Sequence, residues 1–313
     1  MFAIPYSRPN PSLLAESMAG LVRCVVCFLA IVGGAVAHAE FSDPGTPAAL
    51  RGKYDQLKSQ LNNNQFKRPI YLNSTQAANE LRGDMHAVIN HPFAKVNAAL
   101  NGAAQWCDIL ILHLNTKHCR PATTPQGTLL RVKIGKKYDQ PLADAYPVDF
   151  IYRVAATNAD YLQVLLNADS GPLGTRNYRI VLEAVPLDSK STFIHLSYSY
   201  GFGTTGKLAM QVYLSTIASD KVGFTVKSRQ SDGDPEYIDG IRGLIERNTM
   251  RYYLAIESYL GALSSPPQLQ LEKRLHDWFS AVERYPRQLH EMEENEYMEM
   301  KRNEYSRQQQ AES

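Results

Sequence analysis

Between Gly127 and Tyr200 apolar and polar positions alternate with a period of two. Leu130, Val132 and Ile134 fall on one side, and Leu129, Arg131 and Lys133 on the other. The runs VDFIYRVAA, ADYLQVLLNA, NYRIVLEAVPL and TFIHLSYSY follow at hairpin distances, joined by turn residues such as Asn158–Asp160 and Asp188–Lys190. One apolar and one mixed face per run predicts an antiparallel sheet that is wet on one side.

The flanks have a different period. Leu50, Tyr54, Leu57 and Leu61 recur at helical spacing over residues 47–62, with Thr46 placed to cap them. KRPIYLNST reads as a short extended segment and residues 78–90 as a strand. Pro92 then opens a short helix, and Trp106 and Cys107 sit on a second short helix or turn. KVGFTV, residues 221–226, reads as one more strand.

The strongest helical stripe is Ile241, Leu244, Ile245, Tyr252, Ala255, Ile256, Tyr259 and Leu263, with Asp239 as cap and Ser264–Pro267 as stop. A second amphipathic helix carries Leu271, Leu275, Trp278, Phe279 and Val282. The remainder, rich in glutamate and then in lysine and arginine, is expected to be a solvated, partly frayed helix; a partner-binding tail over residues 268–310 is the sharper alternative.

Two segments carry a resemblance. LRGDMHAVINHPFAKVNAALNGAAQW resembles the first strand and helix pair of the START-like (SRPBCC) superfamily, and YIDGIRGLIERNTMRYYLAIESYL resembles its long C-terminal helix. The resemblance implies an α+β helix-grip domain over residues 78–263: a curved antiparallel sheet around one helix, with a cavity between them. It also implies an apolar ligand or lipid, and in some members an enzyme activity. Residues 40–77 are then an N-terminal helix and extension, and residues 264–313 a C-terminal helix and charged tail.

The resemblance supplies a location, and the alternation supplies the residues. Tyr152, Leu162, Val164, Tyr198 and Tyr200 from strands, and Met250, Tyr252 and Tyr253 from the helix, are expected on the inner surface. Arg247 and Arg251 are the polar groups that an enzyme on this fold would use to stabilise negative charge. A cavity holding a ligand and a solidly filled core are both compatible with these positions. The three functional readings are a carrier of a hydrophobic small molecule, an enzyme on an apolar substrate, and an envelope interaction protein.

Composition narrows the partners. The 313 residues are 20% charged with a formal net charge of +2, which gives no basic excess for nucleic acid. Cys24–Ala37 is uninterruptedly apolar and of signal-core length, and Ala37-His38-Ala39 fits a cleavage site, so export with a mature start at Glu40 is expected. Counted from Met18 the leader has ordinary length, and an uncleaved membrane anchor is the alternative. Cleavage would leave Cys107 and Cys119, expected as a disulfide in an oxidising compartment. The competing readings are a catalytic thiol with His113 or His118 as base, or a zinc site whose spacing matches no common pattern.

GFGTTGK, residues 201–207, touches two nucleotide signatures. Its strand alternates and its neighbours are spaced as hairpins, unlike a βαβ unit, and Leu208 stands where a phosphate loop needs a hydroxyl. No nucleotide and no cofactor is expected, and the glycines are read as a turn or bulge. His195 alternates with serines and is expected to be a surface or satisfied residue.

Overall fold

The computed structural model describes residues 45–215, 219–229 and 233–310. The expected leader and its cleavage site lie outside them. The described residues form one compact unit.

Eight strands build one sheet. In chain order they are β1 (Ile70–Ala77), β2 (Glu80–Ile89), β3 (Thr116–Thr124), β4 (Gly127–Ile134), β5 (Tyr146–Thr157), β6 (Leu162–Ser170), β7 (Thr175–Pro186) and β8 (Thr192–Phe202). Their spatial order is β1-β2-β8-β7-β6-β5-β4-β3, and every pairing is antiparallel. The helices are α1 (Pro47–Asn62), α2 (Phe93–Leu100), α3 (Ala103–Leu110), α4 (Thr204–Ser215), α5 (Gly240–Ala262), α6 (Pro267–Val282), α7 (Pro286–Leu289) and α8 (Glu294–Gln309). This is the α+β helix-grip architecture: β3 to β8 succeed one another by hairpins, β8 returns beside β2, and the long helix α5 packs on the β1-β2-β8 side.

Cross-strand register sorts the faces, because directly paired residues share one. One row runs Tyr152, Leu166, Ile180, Tyr198, Gly83. The next runs Val154, Val164, Leu182, Leu196, Met85. Both rows face the main core, which also receives α2, α3, α5, α6 and α8. Gly83 sets how closely the long helix approaches. A Cβ there would lie 2.2 Å from Thr249 Oγ1, so only glycine lets α5 come down onto β2.

Several expectations change. The outer face is wet at β4 and β5, but not at β8, where Phe193, His195 and Ser197 are buried. The cause is α1, whose Leu50, Leu57 and Leu61 form a second core with Tyr161, Val185 and Phe193 on that face. Thr46 caps α1 as expected, accepting from the Ala49 amide. The sheet also starts earlier and extends further than expected, with β1 beginning at Ile70 and β3 as an added edge strand.

Residues 221–225 are not a strand. Only Val226–Arg229 (β9) pairs, with Pro235–Tyr237 (β10), in a separate two-stranded ribbon. The backbone of 221–225 is shared between Ile238, which pairs with Gly223 and Thr225, and a side chain: Glu246 accepts from the Phe224 and Thr225 amides at 2.6 and 2.9 Å. Asp239 stands at the N-cap of α5 but makes no capping hydrogen bond.

The charged tail is not a solvated, frayed helix. Tyr297, Met298 and Met300 of α8 are buried, and so are Lys301 and Glu304. Lys301 Nζ donates to Glu304 and to the carbonyls of His113 and Thr116, and Lys117 Nζ of β3 reaches Glu304 at 2.8 Å. Glu304 is the shared counter-charge of the two buried lysines, and α8 is a structural layer over β3 and α6.

Candidate functional site

The concave face between β5–β8 and α5 carries a chain of aromatic rings. Tyr178 stacks on Tyr200 at 5.3 Å, and Tyr198 lies 5.6 Å from Tyr200. Tyr252 of α5 meets Tyr198 edge-on at 5.1 Å, and His113, after α3, stacks on Tyr252 at 4.7 Å. Phe150 extends the chain along β5, edge-on to Tyr178 at 6.3 Å. α4 closes one end, where the Tyr200 hydroxyl contacts Met210 Sδ at 3.7 Å.

The arrangement follows from strand alternation and from Gly83. Phe150 and Tyr152 alternate along β5, and Tyr198 and Tyr200 along β8, so all four point inward. Because α5 is drawn down onto β2, it leans away from β5, β6 and β7, and the large rings occupy the wider side.

The titratable side chains of the ring chain are buried and uncharged. Burial raises the phenols of Tyr198, Tyr200 and Tyr252 far above their ordinary value, and raises Tyr152 to about 12. All stay protonated and can donate a hydrogen bond. His113 is held neutral, first by burial and then by Arg251 and the nearby lysines. Two buried atoms here have no hydrogen-bond partner among the described residues: the Tyr152 hydroxyl and His113 Nε2. Buried polar atoms of this kind are normally satisfied, so each marks a position where a bound group or water would be stabilised.

The residues singled out from the sequence divide as follows. Tyr152, Tyr198, Tyr200 and Tyr252 belong to this face. Leu162 and Val164 share it but are fully buried in the packed rows beside it. Tyr253 turns the other way, donating to Glu257 at 3.2 Å beside Arg68. Met250 is fully buried in the core.

Arg247 donates to the Val222 carbonyl at 3.2 Å. Arg251 is bound to Glu291 at 2.6 Å and to the Leu289 carbonyl at 3.2 Å. Glu291, pushed up by burial, is held below its ordinary value by Arg251 and Lys137. An anion-stabilising role for Arg251 would therefore begin by breaking a buried ion pair.

Sequence reasoning missed Tyr178, Phe150 and His113 as members of the ring chain. The first two were visible in the alternation, since Tyr178 shares parity with Ile180 and Phe150 with Tyr152. His113 had no such signal, because its position depends on α3 returning the chain to α5.

Cys107 and Cys119 are joined as a disulfide with Cα atoms 5.1 Å apart, which overturns the free-thiol and zinc readings of that segment. Among the described residues no three His, Cys, Asp or Glu side chains are grouped to hold a metal ion. The glycine loop 201–207 joins β8 to α4, but β8 is antiparallel to both neighbours, so no βαβ unit surrounds it. Its glycines take no positive φ, and a register shift lies opposite Gly201, between Arg176 and Arg179 of β7.

No family model matches the sequence, and no curated protein matches it. Solved structures do resemble the chain. A norcoclaurine synthase point mutant from Thalictrum flavum is 15% identical, with 46% of this chain and 91% of that one covered and a TM-score of 0.32. A START superfamily protein from Mycobacterium smegmatis is 14% identical, over 44% and 92%, at 0.30. Human StAR-related lipid transfer protein 5 is 8% identical, over 70% and 98%, at 0.36. At such scores these likenesses carry no weight of their own, and the strand order with α5 on β1, β2 and β8 is what decides. The fold is a helix grip. Within that grip α1, α6, α7 and α8 wrap further faces of the sheet and of α5.

Proposed function

We propose that this protein binds a hydrophobic small molecule, of lipid or flat apolar character, against the ring chain between the sheet and α5. The observation that carries the reading is the inward Tyr152 hydroxyl, buried without a partner on a face otherwise made of neutral aromatic rings. Flat rings offer apolar surface, while phenolic hydroxyls orient the one polar group such a ligand carries. Enclosing it removes apolar area from water, so the reading extends to a carrier role. The disulfide supports export, and Ala37-His38-Ala39 suggests Glu40 as the first mature residue.

Native mass spectrometry of the purified chain, followed by organic extraction, tests the binding. The expected result is a bound apolar compound whose yield falls when Tyr198→Ala and Tyr252→Ala are combined. A clean apo mass for the chain, together with no uptake of an added fatty acid or sterol, would sink it. N-terminal sequencing of protein recovered from the producing cell tests the export, with Glu40 expected first.

Partner binding through residues 268–310 rests on a smaller surface than the apolar stripe of α6 suggested. Leu275, Trp278 and Val282 are buried against the core, and Leu269 is the large apolar side chain of that helix left exposed.

A further inference from the structure

On the other flank of α5 lies a surface groove, of about 410 Å³, between the turn before β1 and the segment joining α6 to α7. Tyr252 faces the ring chain, whereas Tyr253 and Glu257 face Arg68 at the edge of this groove. Its floor is an aromatic triangle. Phe66 and Phe224 lie 5.6 Å apart, and Tyr285 is 6.0 Å from the first and 5.3 Å from the second.

Its wall is cationic. Lys67, Arg68, Arg284 and Arg287 all line it, and no carboxylate does. Arg68 pairs with Glu257, but Lys67, Arg284 and Arg287 form no ion pair among the described residues. The acids nearest in sequence are already engaged: Glu283 with His290, and Glu236 with Lys227 and Ser228. The Arg287 guanidinium lies over the Tyr237 ring at 5.5 Å, which holds it beside the groove and leaves its edge available for hydrogen bonds.

The groove is built firmly. The Asn64 side chain donates to the carbonyls of Gln60, Leu61 and Arg68 and accepts from the Phe66 amide, all within 2.9 Å. That knot holds Lys67 at φ 52°, a conformation side-chain-bearing residues rarely adopt, and aims it at the groove. Gln65 Nε2 ties the same turn to the Phe224 carbonyl at 2.9 Å.

Three cations without an ion-pair partner among the described residues, set around an apolar floor, suit a multiply charged anion with an apolar body. A phosphate ester supplies three acceptor oxygens, which match two guanidinium forks and an ammonium better than a single carboxylate does. We propose that this groove binds a phosphate-bearing molecule, its phosphate against Lys67, Arg284 and Arg287 and its apolar part on the Phe66–Phe224–Tyr285 floor. The source is either a soluble phosphate ester or the headgroup of an anionic lipid.

The test uses the full chain and the Arg284→Gln/Arg287→Gln variant; both side chains are exposed, so the fold stays intact. Phenyl phosphate and inorganic phosphate are titrated calorimetrically, and sedimentation is run with phosphatidylcholine vesicles with and without phosphatidylglycerol. Phenyl phosphate is expected to bind more tightly than inorganic phosphate, and the double variant to lose at least about tenfold in affinity. Lys190→Gln, on a distant turn, should change nothing. Binding of phenyl phosphate alone assigns a soluble ester, and binding to the anionic vesicles as well assigns a headgroup. No binding of either probe, equal affinity in the double variant, or an equal loss in Lys190→Gln overturns the proposal. Inorganic phosphate binding as tightly as phenyl phosphate overturns the apolar half of it.

Discussion

Single side chains set both the width of the concave face and the chemistry beneath α1. Gly83 admits α5 to contact distance of β2, so Gly83→Ala must push Thr249 aside. The expected cost is about 1–3 kcal/mol in denaturant unfolding, largely recovered in Gly83→Ala/Thr249→Ala. On the opposite face His195 is clamped between two carboxylates, Nε2 to Asp84 at 2.7 Å and Nδ1 to Glu183 at 2.9 Å. Tyr161 donates to the same Glu183, and His86 stacks on the His195 ring at 4.4 Å. Burial pulls the His195 pKa down, but the hydrogen bonds and charges of Asp84 and Glu183 outweigh it and hold the group at about 9. A group raised in the folded state stabilises fully below its unfolded value, near 6.5, and that contribution fades as pH climbs through 9. Wild-type unfolding free energy should therefore fall between pH 6.5 and 9 more steeply than that of His195→Gln, which lacks the titrating group. His86 and His113 are depressed, chiefly by burial, and act in the opposite sense: both contribute a loss of stability as pH drops below about 6.5. Replacing His86 with Phe should flatten that acid limb in a pH series of thermal melts.

At the scale of elements, the sequence disclosed those whose two faces meet different surroundings. β4 to β8 were legible because Leu130, Ile180 and Leu196 alternate with residues of another kind. α5 was legible because its stripe of three-to-four spacing survives among buried charges such as Glu246 and Arg247. β3 was not, since TKHCRPATT mixes Lys117 and Pro121 in a strand whose burial comes from α3 and α8 rather than from its own alternation. KVGFTV misled for the converse reason. Val222, Phe224 and Val226 alternate like a strand, but a carboxylate 22 residues away in sequence from Phe224 takes the Phe224 and Thr225 amides. Of the ring chain, the strand tyrosines could be read from parity, while His113 and the reversal of Tyr253 depend on packing between helices. The tail misled because like-looking charges were assumed to face water. Lys301, pulled down by burial to about 8 although Glu304 opposes this, is paired inside. Glu304→Gln leaves Lys117 and Lys301 buried without their shared counter-charge and should cost about 3–5 kcal/mol by chemical denaturation.

Across the whole molecule the grip is reinforced from outside. The Cys107–Cys119 bridge ties α3 to β3, and closing a loop of that length contributes about 3 kcal/mol in the chain-entropy model. Cys107→Ser/Cys119→Ser, or reduction under native conditions, should lower the unfolding free energy by that order in a denaturant titration, while α5 remains on the sheet. α1 on the convex face and α6 to α8 around α5 make the sheet strands β2, β7 and β8 buried on both sides.

The pairing of Lys117 with Glu304 spans 187 positions of the chain. On a ribosome, which delivers the N-terminal end first, the edge strand holding that lysine is made long before its counter-charge exists. Until the last helix has emerged, the ammonium must stay hydrated and the edge of the sheet must stay open. The domain therefore locks shut only once α8 has been made, and an interrupted chain lacking α8 would be handed to chaperones or proteases with that edge unsealed.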